Sequence, residues 1–239
     1  MSKHNNGKLF IIPIVISSGT QQEVIPPAVR DTIAGLNYFM VENARTARRF
    51  ISSLDEGIAI DSLHFEVLDK RSTSTEVEKY MQPLLSGNNA GVLSESGSPG
   101  IADPGAMAVQ YAHRHGIQVI PLPGPSSITL ALMASGFNGQ SFTFHGYLPI
   151  DKQERKKKII ALEKESAKRS HSQVFIEAPY RNIQLFRDLL SYCKEDTYIC
   201  LASDLTGSSE FVKTLRVKQW KRISVDLHKI PTVFLIFSD

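Results

Sequence analysis

Residues 91–127 read GVLSESGSPGIADPGAMAVQYAHRHGIQVIPLPGPSS. An apolar strand, Gly91-Val92-Leu93, runs into a loop of small residues from Ser94 to Gly100, followed by Ile101-Ala102-Asp103-Pro104-Gly105. A helical stretch and a short strand follow. Then comes a second tight loop, Pro121-Leu122-Pro123-Gly124-Pro125-Ser126-Ser127. Two Gly/Pro/Ser loops thus sit at the ends of consecutive strands in an alternating β/α pattern, the position at which open α/β sheets bind ligands. Gly97, Gly100 and Gly105 admit positive φ and close backbone approach; Pro99 and Pro104 fix the loop shape. The spacing is neither the G-x-G-x-x-G of a dinucleotide fold nor the Gly-Lys-Ser/Thr ending of a P-loop, so pyrophosphate binding is not the natural reading. Asp103 either caps the helix that follows or faces a ligand. Ser126 and Ser127 open the next helix and have the same two options, a cap or a ligand contact at its positive end.

Working outward from this stretch, short apolar or β-branched runs bounded by polar, Gly or Pro residues predict ten strands. They fall near residues 8–15, 37–42, 63–68, 90–95, 118–122, 143–148, 172–177, 197–203, 211–217 and 232–237. Seven helices are predicted near residues 27–36, 44–54, 75–85, 105–115, 126–135, 152–167 and 179–192. Pro26-Pro27 and Pro179 suit a first helical turn, and Thr73 to Glu76 has the form of a capping box. The alternation predicts α/β layers with mainly parallel strands. Ten strands are many for one small sheet, so two α/β domains are expected, residues 1–121 and 122–239. The last third, with three strands and little helix between them, should be more antiparallel.

The 239 residues carry 27 Lys and Arg against 24 Asp and Glu, a net charge of +3 that permits an anionic partner without requiring one. No apolar run reaches the length of a membrane-spanning helix. The N-terminal MSKHNNGKLFIIPIV reads as a first strand and not as a signal peptide. Cys193 and Cys200 lack metal or disulfide spacing; with His113 and His115 on different faces of one helix, no metal site is expected. The composition is that of a cytoplasmic globular protein.

The series GSPGIADPG, PLPGPSSITLALMASGF, FTFHGYLP, a basic helix and FIEAPYR, in that order, resembles the tetrapyrrole-methylase-like superfamily, the class III methyltransferases. It is most similar to the branch that methylates ribosomal RNA at a ribose 2′-hydroxyl. The resemblance implies two α/β domains with S-adenosylmethionine held in a cleft between them, and a homodimer. It implies cofactor contacts at Ser94, Gly97, Pro99, Ile101, Ala102 and Asp103, at Ser126 and Ser127, at Leu148 and Ala178, and at Thr232. The chain departs from the ribosomal branch at three substrate-side places. Pro-Ile-Gly-Asn becomes Pro13-Ile14-Val15-Ile16, Glu-Asp-Thr-Arg becomes Glu42-Asn43-Ala44-Arg45, and Glu-Leu-Thr-Lys becomes Asp204-Leu205-Thr206-Gly207. The methyl donor is therefore better specified than the acceptor.

A sulfonium methyl needs no activation by the protein, which must align the acceptor and remove one proton. A ribose hydroxyl needs a base or a cationic neighbour. Glu42, Arg45, Glu177 and Arg181 are the catalytic candidates, with Asp204 a further carboxylate; the two arginines serve equally as phosphate grips. Arg155, Lys156, Lys157 and Lys158 on the basic helix, with Arg45, Arg48 and Arg49 on another, are expected to track a phosphate backbone. The plain alternative is a solvated helix face whose interleaved Glu154, Glu163 and Glu165 form helical ion pairs. His145, Tyr147 and Tyr180 are the stacking candidates near the motifs. The expected partner is ribosomal RNA or the small ribosomal subunit. Methylation of a small tetrapyrrole-like molecule, or cofactor binding by a non-catalytic regulator, are the competing readings.

Overall fold

The computed structural model describes residues 6–238. In chain order the elements are β1 (Lys8–Ile11), α1 (Gln21–Val24), α2 (Pro27–Ala34), β2 (Tyr38–Val41), α3 (Ala44–Ser52), β3 (His64–Val67), α4 (Ser74–Leu85), β4 (Ala90–Leu93), α5 (Gly105–Arg114) and β5 (Gln118–Pro121). They continue with α6 (Ser127–Ser135), β6 (Phe142–Tyr147), α7 (Lys152–Arg169), β7 (Ser172–Ile176), α8 (Asn182–Tyr192), β8 (Tyr198–Ser203), β9 (Phe211–Arg216), α9 (Val217–Trp220) and β10 (Thr232–Phe237). Every expected strand and helix forms among the described residues; the single-turn helices α1 and α9 and a 3₁₀ turn at Ile60–Ser62 were not anticipated. The chain divides into two compact units, Met1–Ser126 and Ser127–Asp239.

The first unit is a five-stranded sheet in the order β3-β2-β4-β1-β5, parallel throughout. Alternate strand residues go to opposite faces. Phe39, Val41 and Leu93 pack with Val29 and Ile33 of α2 and Phe50 and Ile51 of α3. Leu9, Met40 and Val92 pack with Met81 and Leu84 of α4 and Ala108 and Ala112 of α5. Thr73 and Glu76 start α4 with the expected reciprocal bonds, the Thr73 N–H to Glu76 Oε2 (2.7 Å) and the Glu76 N–H to Thr73 Oγ1 (3.3 Å). From β2 the chain moves outward to β3, whereas from the neighbouring β4 it crosses to β5 on the other side. The carboxyl ends of β2 and β4 therefore flank the point where the winding reverses, where ligands enter such sheets.

The second unit has the order β6-β7-β10-β8-β9. Only β6 and β7 are parallel; β10 runs antiparallel to both neighbours and β9 antiparallel to β8, the mixed character expected of the last third. One face carries α7, α8 and the fully buried Trp220, whose indole N–H donates to the Ile199 carbonyl at 2.9 Å. The other carries α6. Both cysteines are buried and form no disulfide, and burial pushes the Cys200 thiol up to about 11.

Helix α7 corrects one expectation. Arg155 does not lie on an exposed basic face: it is 7% exposed. Its Nε donates to Asp188 Oδ2 at 2.7 Å, a second guanidinium nitrogen lies 2.7 Å from the same oxygen, and the third donates to the carbonyls of Pro149 and Ile150. The guanidinium clamps the loop after β6 to α7 and α8, with four of its five N–H donors engaged inside the protein and the side chain buried away from a phosphate. Lys157 bonds Glu154 at 2.8 Å, as helical pairing anticipates, and Lys156 lies over the Tyr192 ring at 5.4 Å. Lys152, Lys156 and Lys157 remain exposed, and Lys158 is half-buried. Removing one member of a buried, hydrogen-bonded pair strands the other charge, at a cost of about 3–5 kcal/mol. Arg155→Ala is thus expected to lower the denaturation midpoint sharply, read by chemical unfolding. An unchanged midpoint with weakened RNA binding would return Arg155 to the RNA surface.

Candidate functional site

The loop from Ser94 to Gly105 is held by its own polar groups. The Ser94 hydroxyl, buried, donates to the Ser96 carbonyl at 3.1 Å. Gly97 has φ +68°, and its carbonyl accepts from the Ile14 N–H at 2.9 Å, which ties the loop to the residues following β1. Asp103 Oδ1 accepts from two backbone donors, the N–H of Gly100 (2.9 Å) and that of Gly105 (2.7 Å). A Cβ at position 105 would lie 2.8 Å from that same oxygen, so the glycine is required by the clamp. Ala102 adopts φ +65° without being glycine, an unfavourable conformation that such a pinned loop holds in place. Asp103 therefore does act at the helix start, and its second oxygen, Oδ2, is buried with no partner among the described residues. A buried carboxylate oxygen in that condition needs a donor.

The second loop is fixed against the same strand. The Leu122 N–H donates to the Ile11 carbonyl at 3.0 Å, and a Cβ at Gly124 would overlap the Pro13 ring. The Ser98 hydroxyl donates to the Pro125 carbonyl at 3.2 Å. The two loops, separated by a helix and a strand in sequence, are thus in direct contact within the first unit. Ile101 is 48% exposed beside them and Ser126 is half-buried. Pre-shaped loops with glycine amides, an exposed apolar side chain and one orphaned carboxylate oxygen fit a ligand carrying vicinal hydroxyls and an apolar portion, as S-adenosylmethionine does.

Glu42 follows β2 and meets this loop from the side. The Glu95 N–H donates to its Oε2 at 3.1 Å. Partial burial raises the Glu42 carboxyl above the ordinary carboxylate range; the Glu95 N–H opposes that shift, while the negative charges of Glu95, Asp103 and Asp69 add to it. Asn43 caps α3 through Oδ1, which accepts from the Arg45 and Thr46 N–H groups; the residue that replaces an acid of the family pattern is a structural cap here. Arg45 is exposed.

The candidates of the second unit are less free than the sequence suggests. Glu177 is buried, and its Oε1 accepts from the Ala178 N–H (2.7 Å) and from Nε (3.0 Å) and a terminal nitrogen (2.6 Å) of Arg181. That carboxylate and guanidinium hold each other, and Arg181 also lies over the Tyr180 ring at 5.5 Å. Leu148 is 2% exposed within the core, which leaves it only backbone groups to offer. The Thr232 hydroxyl is engaged with Ser203 (3.0 Å) and the Ile230 carbonyl (2.9 Å). Asp204 and Thr206 both have positive φ, and a Cβ at Gly207 would overlap the Asp204 carboxylate. A side chain at 207 would therefore displace the carboxylate of the acid three residues earlier. A polar cavity beside α3, lined by Arg49 among others, was not anticipated as a pocket.

Comparison with known proteins agrees with this geometry. The profile of the family described as Tetrapyrrole (Corrin/Porphyrin) Methylases matches residues 14–220. A protein named ribosomal RNA small subunit methyltransferase I from Leptospira borgpetersenii is 36% identical over 88% of this chain and 80% of its own. The protein of the same name from Vibrio cholerae is 30% identical over 86% of this chain and 67% of its own. The uroporphyrin-III C-methyl transferase of Thermus thermophilus, solved in complex with S-adenyl homocysteine, shares the fold with a TM-score of 0.57 at 12% identity, over 97% of this chain and 98% of that one. With a profile match across most of its length, two interlocked Gly/Pro loops at the carboxyl ends of β4 and β5, and relatives at this identity, the chain belongs to the tetrapyrrole methylase family of S-adenosylmethionine-dependent methyltransferases.

Proposed function

We propose that this methyltransferase acts on RNA of the small ribosomal subunit, transferring the methyl group to a ribose 2′-hydroxyl. The observation that carries the reading is identity of up to 36% across most of the chain with proteins named for that RNA. When bound, S-adenosylmethionine supplies a methyl group already activated by its sulfonium. Asp103 Oδ2, buried and without a partner among the described residues, would accept from a hydroxyl of the cofactor ribose, and the loop from Ser94 to Gly105 would hold the methionine part by backbone groups. Glu42 would take the proton that the ribose hydroxyl loses when it is methylated. Arg45, one residue into α3, and the exposed lysines of α7 hold phosphates. The working form is a homodimer in the cytoplasm, an assignment supported by the family resemblance alone. No helix among the described residues is long and apolar enough to cross a membrane.

The decisive assay incubates the protein with labelled donor and unmethylated small subunits. Label in RNA supports the proposal; label confined to a small tetrapyrrole acceptor replaces it. Tight donor binding with no labelled acceptor favours a regulator, the reading motivated by Gly207 and the altered Asn43-Ala44.

Glu42 works as a base only when ionised, so kcat/KM should rise with pH through its raised value. Glu42→Gln keeps an acceptor for the Glu95 N–H, removes that limb of the profile and lowers the rate about 10²–10⁴-fold. The raised value also means that the folded state favours the protonated acid. The stability contributed by Glu42 is complete below the ordinary carboxylate range and falls as pH rises through the raised value, a loss the glutamine variant lacks. Asp103→Asn retains Oδ1 for both glycine amides but turns Oδ2 into a donor. Calorimetry should show donor affinity reduced roughly 10–100-fold, a charged hydrogen bond of about 1.5–3 kcal/mol, with the unfolding midpoint little changed.

A further inference from the structure

Within the first unit, a cavity of about 340 Å³ opens between α3 and the segment that links β1 to α1. Ser18, Gln21, Thr46, Arg49, Ser53 and Glu95 supply its polar lining, over an apolar wall that includes Ile14 and Phe50. Gln21 is tied by its amide nitrogen to the Ser53 carbonyl, and the Ser53 hydroxyl donates to the Phe50 carbonyl. The wall is therefore rigid, and the hydroxyls of Ser18 and Thr46 have no bond among the described residues.

Helix α3 breaks local helix chemistry on this side. Its first turn carries no acid but does carry Arg45, where the positive end of the helix dipole disfavours a cation. Arg45 and Arg49 are four residues apart, so two like charges stack one turn above the other. Neither has an ion pair among the described residues, whereas Arg48, between them in sequence, lies over the Phe65 ring at 5.0 Å. Arg49, in the last turn, suits the helix dipole; the unfavourable features are the cation in the first turn and the stacked like charges, and an anionic ligand relieves both. Glu95, in the same cavity, disfavours a bare anion; it suits a ligand that also brings donors, such as sugar hydroxyls or an exocyclic amine. A nucleotide has both parts, and its size suits the cavity.

We propose that this cavity binds one nucleotide of the acceptor strand, with Arg49 and Arg45 gripping successive phosphates and Glu95 accepting from its sugar or base. The inference rests on the RNA reading above. It adds a subsite that leads from the cavity along α3 to Glu42, the residue that meets the reacting hydroxyl. The rise of one helical turn, about 5.4 Å, is commensurate with the step between neighbouring phosphates of an extended strand.

Two measurements test it separately from the function. First, backbone amide shifts are followed on addition of cytidine 5′-monophosphate, cytidine or inorganic phosphate. Thr46, Arg49 and Ser53 should respond most strongly to the monophosphate, and Ser18→Phe, at an exposed loop position, should abolish the response by filling the cavity. An absent response, or an equal one to cytidine, overturns the proposal. Second, affinity for unmethylated small-subunit RNA is measured against salt. Arg45→Gln with Arg49→Gln should reduce the slope of log K against log salt by about 1.4, two single-strand phosphate contacts. Arg114→Gln, on the exposed C-terminal end of α5, should leave the slope unchanged. If the wild type labels RNA but the double variant keeps its slope, the subsite falls and the function stands. If the monophosphate binds as described but no RNA is labelled, the function falls and the nucleotide site stands.

Discussion

Strand β1 pairs in parallel with both β4 and β5, and the geometry of the site follows from that arrangement. Parallel neighbours deliver their carboxyl ends to the same edge. The loops leaving β4 and β5 must therefore emerge on either side of the segment that leaves β1. Pro13 and Ile14 of that segment become the common support: Ile14 donates to Gly97 of one loop, and the Pro13 ring leaves no room for a Cβ at Gly124 of the other. Once seated, the loops have only backbone and small side chains facing one another, and the Ser98–Pro125 bond joins them. The cofactor loops are thus shaped before any ligand arrives, which lowers the ordering cost of binding.

The same topology divides the labour of the site. The donor side is built from glycines, prolines and the doubly accepting Asp103, elements that hold shape. The proposed acceptor side, by contrast, is built from α3 and Glu42, where charge is left over: a carboxyl raised by its surroundings and two arginines without an ion pair among the described residues. Preorganisation at one edge and unsatisfied electrostatics at the other suit a reaction in which the electrophile is supplied ready and the protein must still recruit and deprotonate the nucleophile.

The strands and helices were legible because their signals are local: Pro26-Pro27 before α2, Thr73 to Glu76 opening α4, and Gly/Pro loops closing β4 and β5. The position of the cofactor loops was legible for the same reason. What the sequence hid depends on partners far along the chain. Arg155 reads like its neighbouring lysines until Asp188, 33 residues later, folds against it. Glu177 and Arg181 each look available, but they lie four residues apart across the turn that follows β7 and hold each other. Leu148 sits in a motif yet points into the core. The raised Glu42 carboxyl depends on burial and on the loop 53 residues later in sequence. The cavity beside α3 draws its lining from the segment after β1, from α3 and from Glu95 in the loop after β4, so no local pattern announces it.

The overlap between Asp204 and any side chain at 207 ties the tolerance of one position to the other. With Asp204 in its left-handed turn, the first carbon of a side chain at 207 would fall on the Asp204 carboxylate. That carboxylate accepts from the Ser209 N–H at 3.0 Å, so a lysine at 207 enters only when the acid leaves this position and gives up that bond. The two positions are coupled rather than independent, and a replacement at 207 acts on the turn through the residue three places before it.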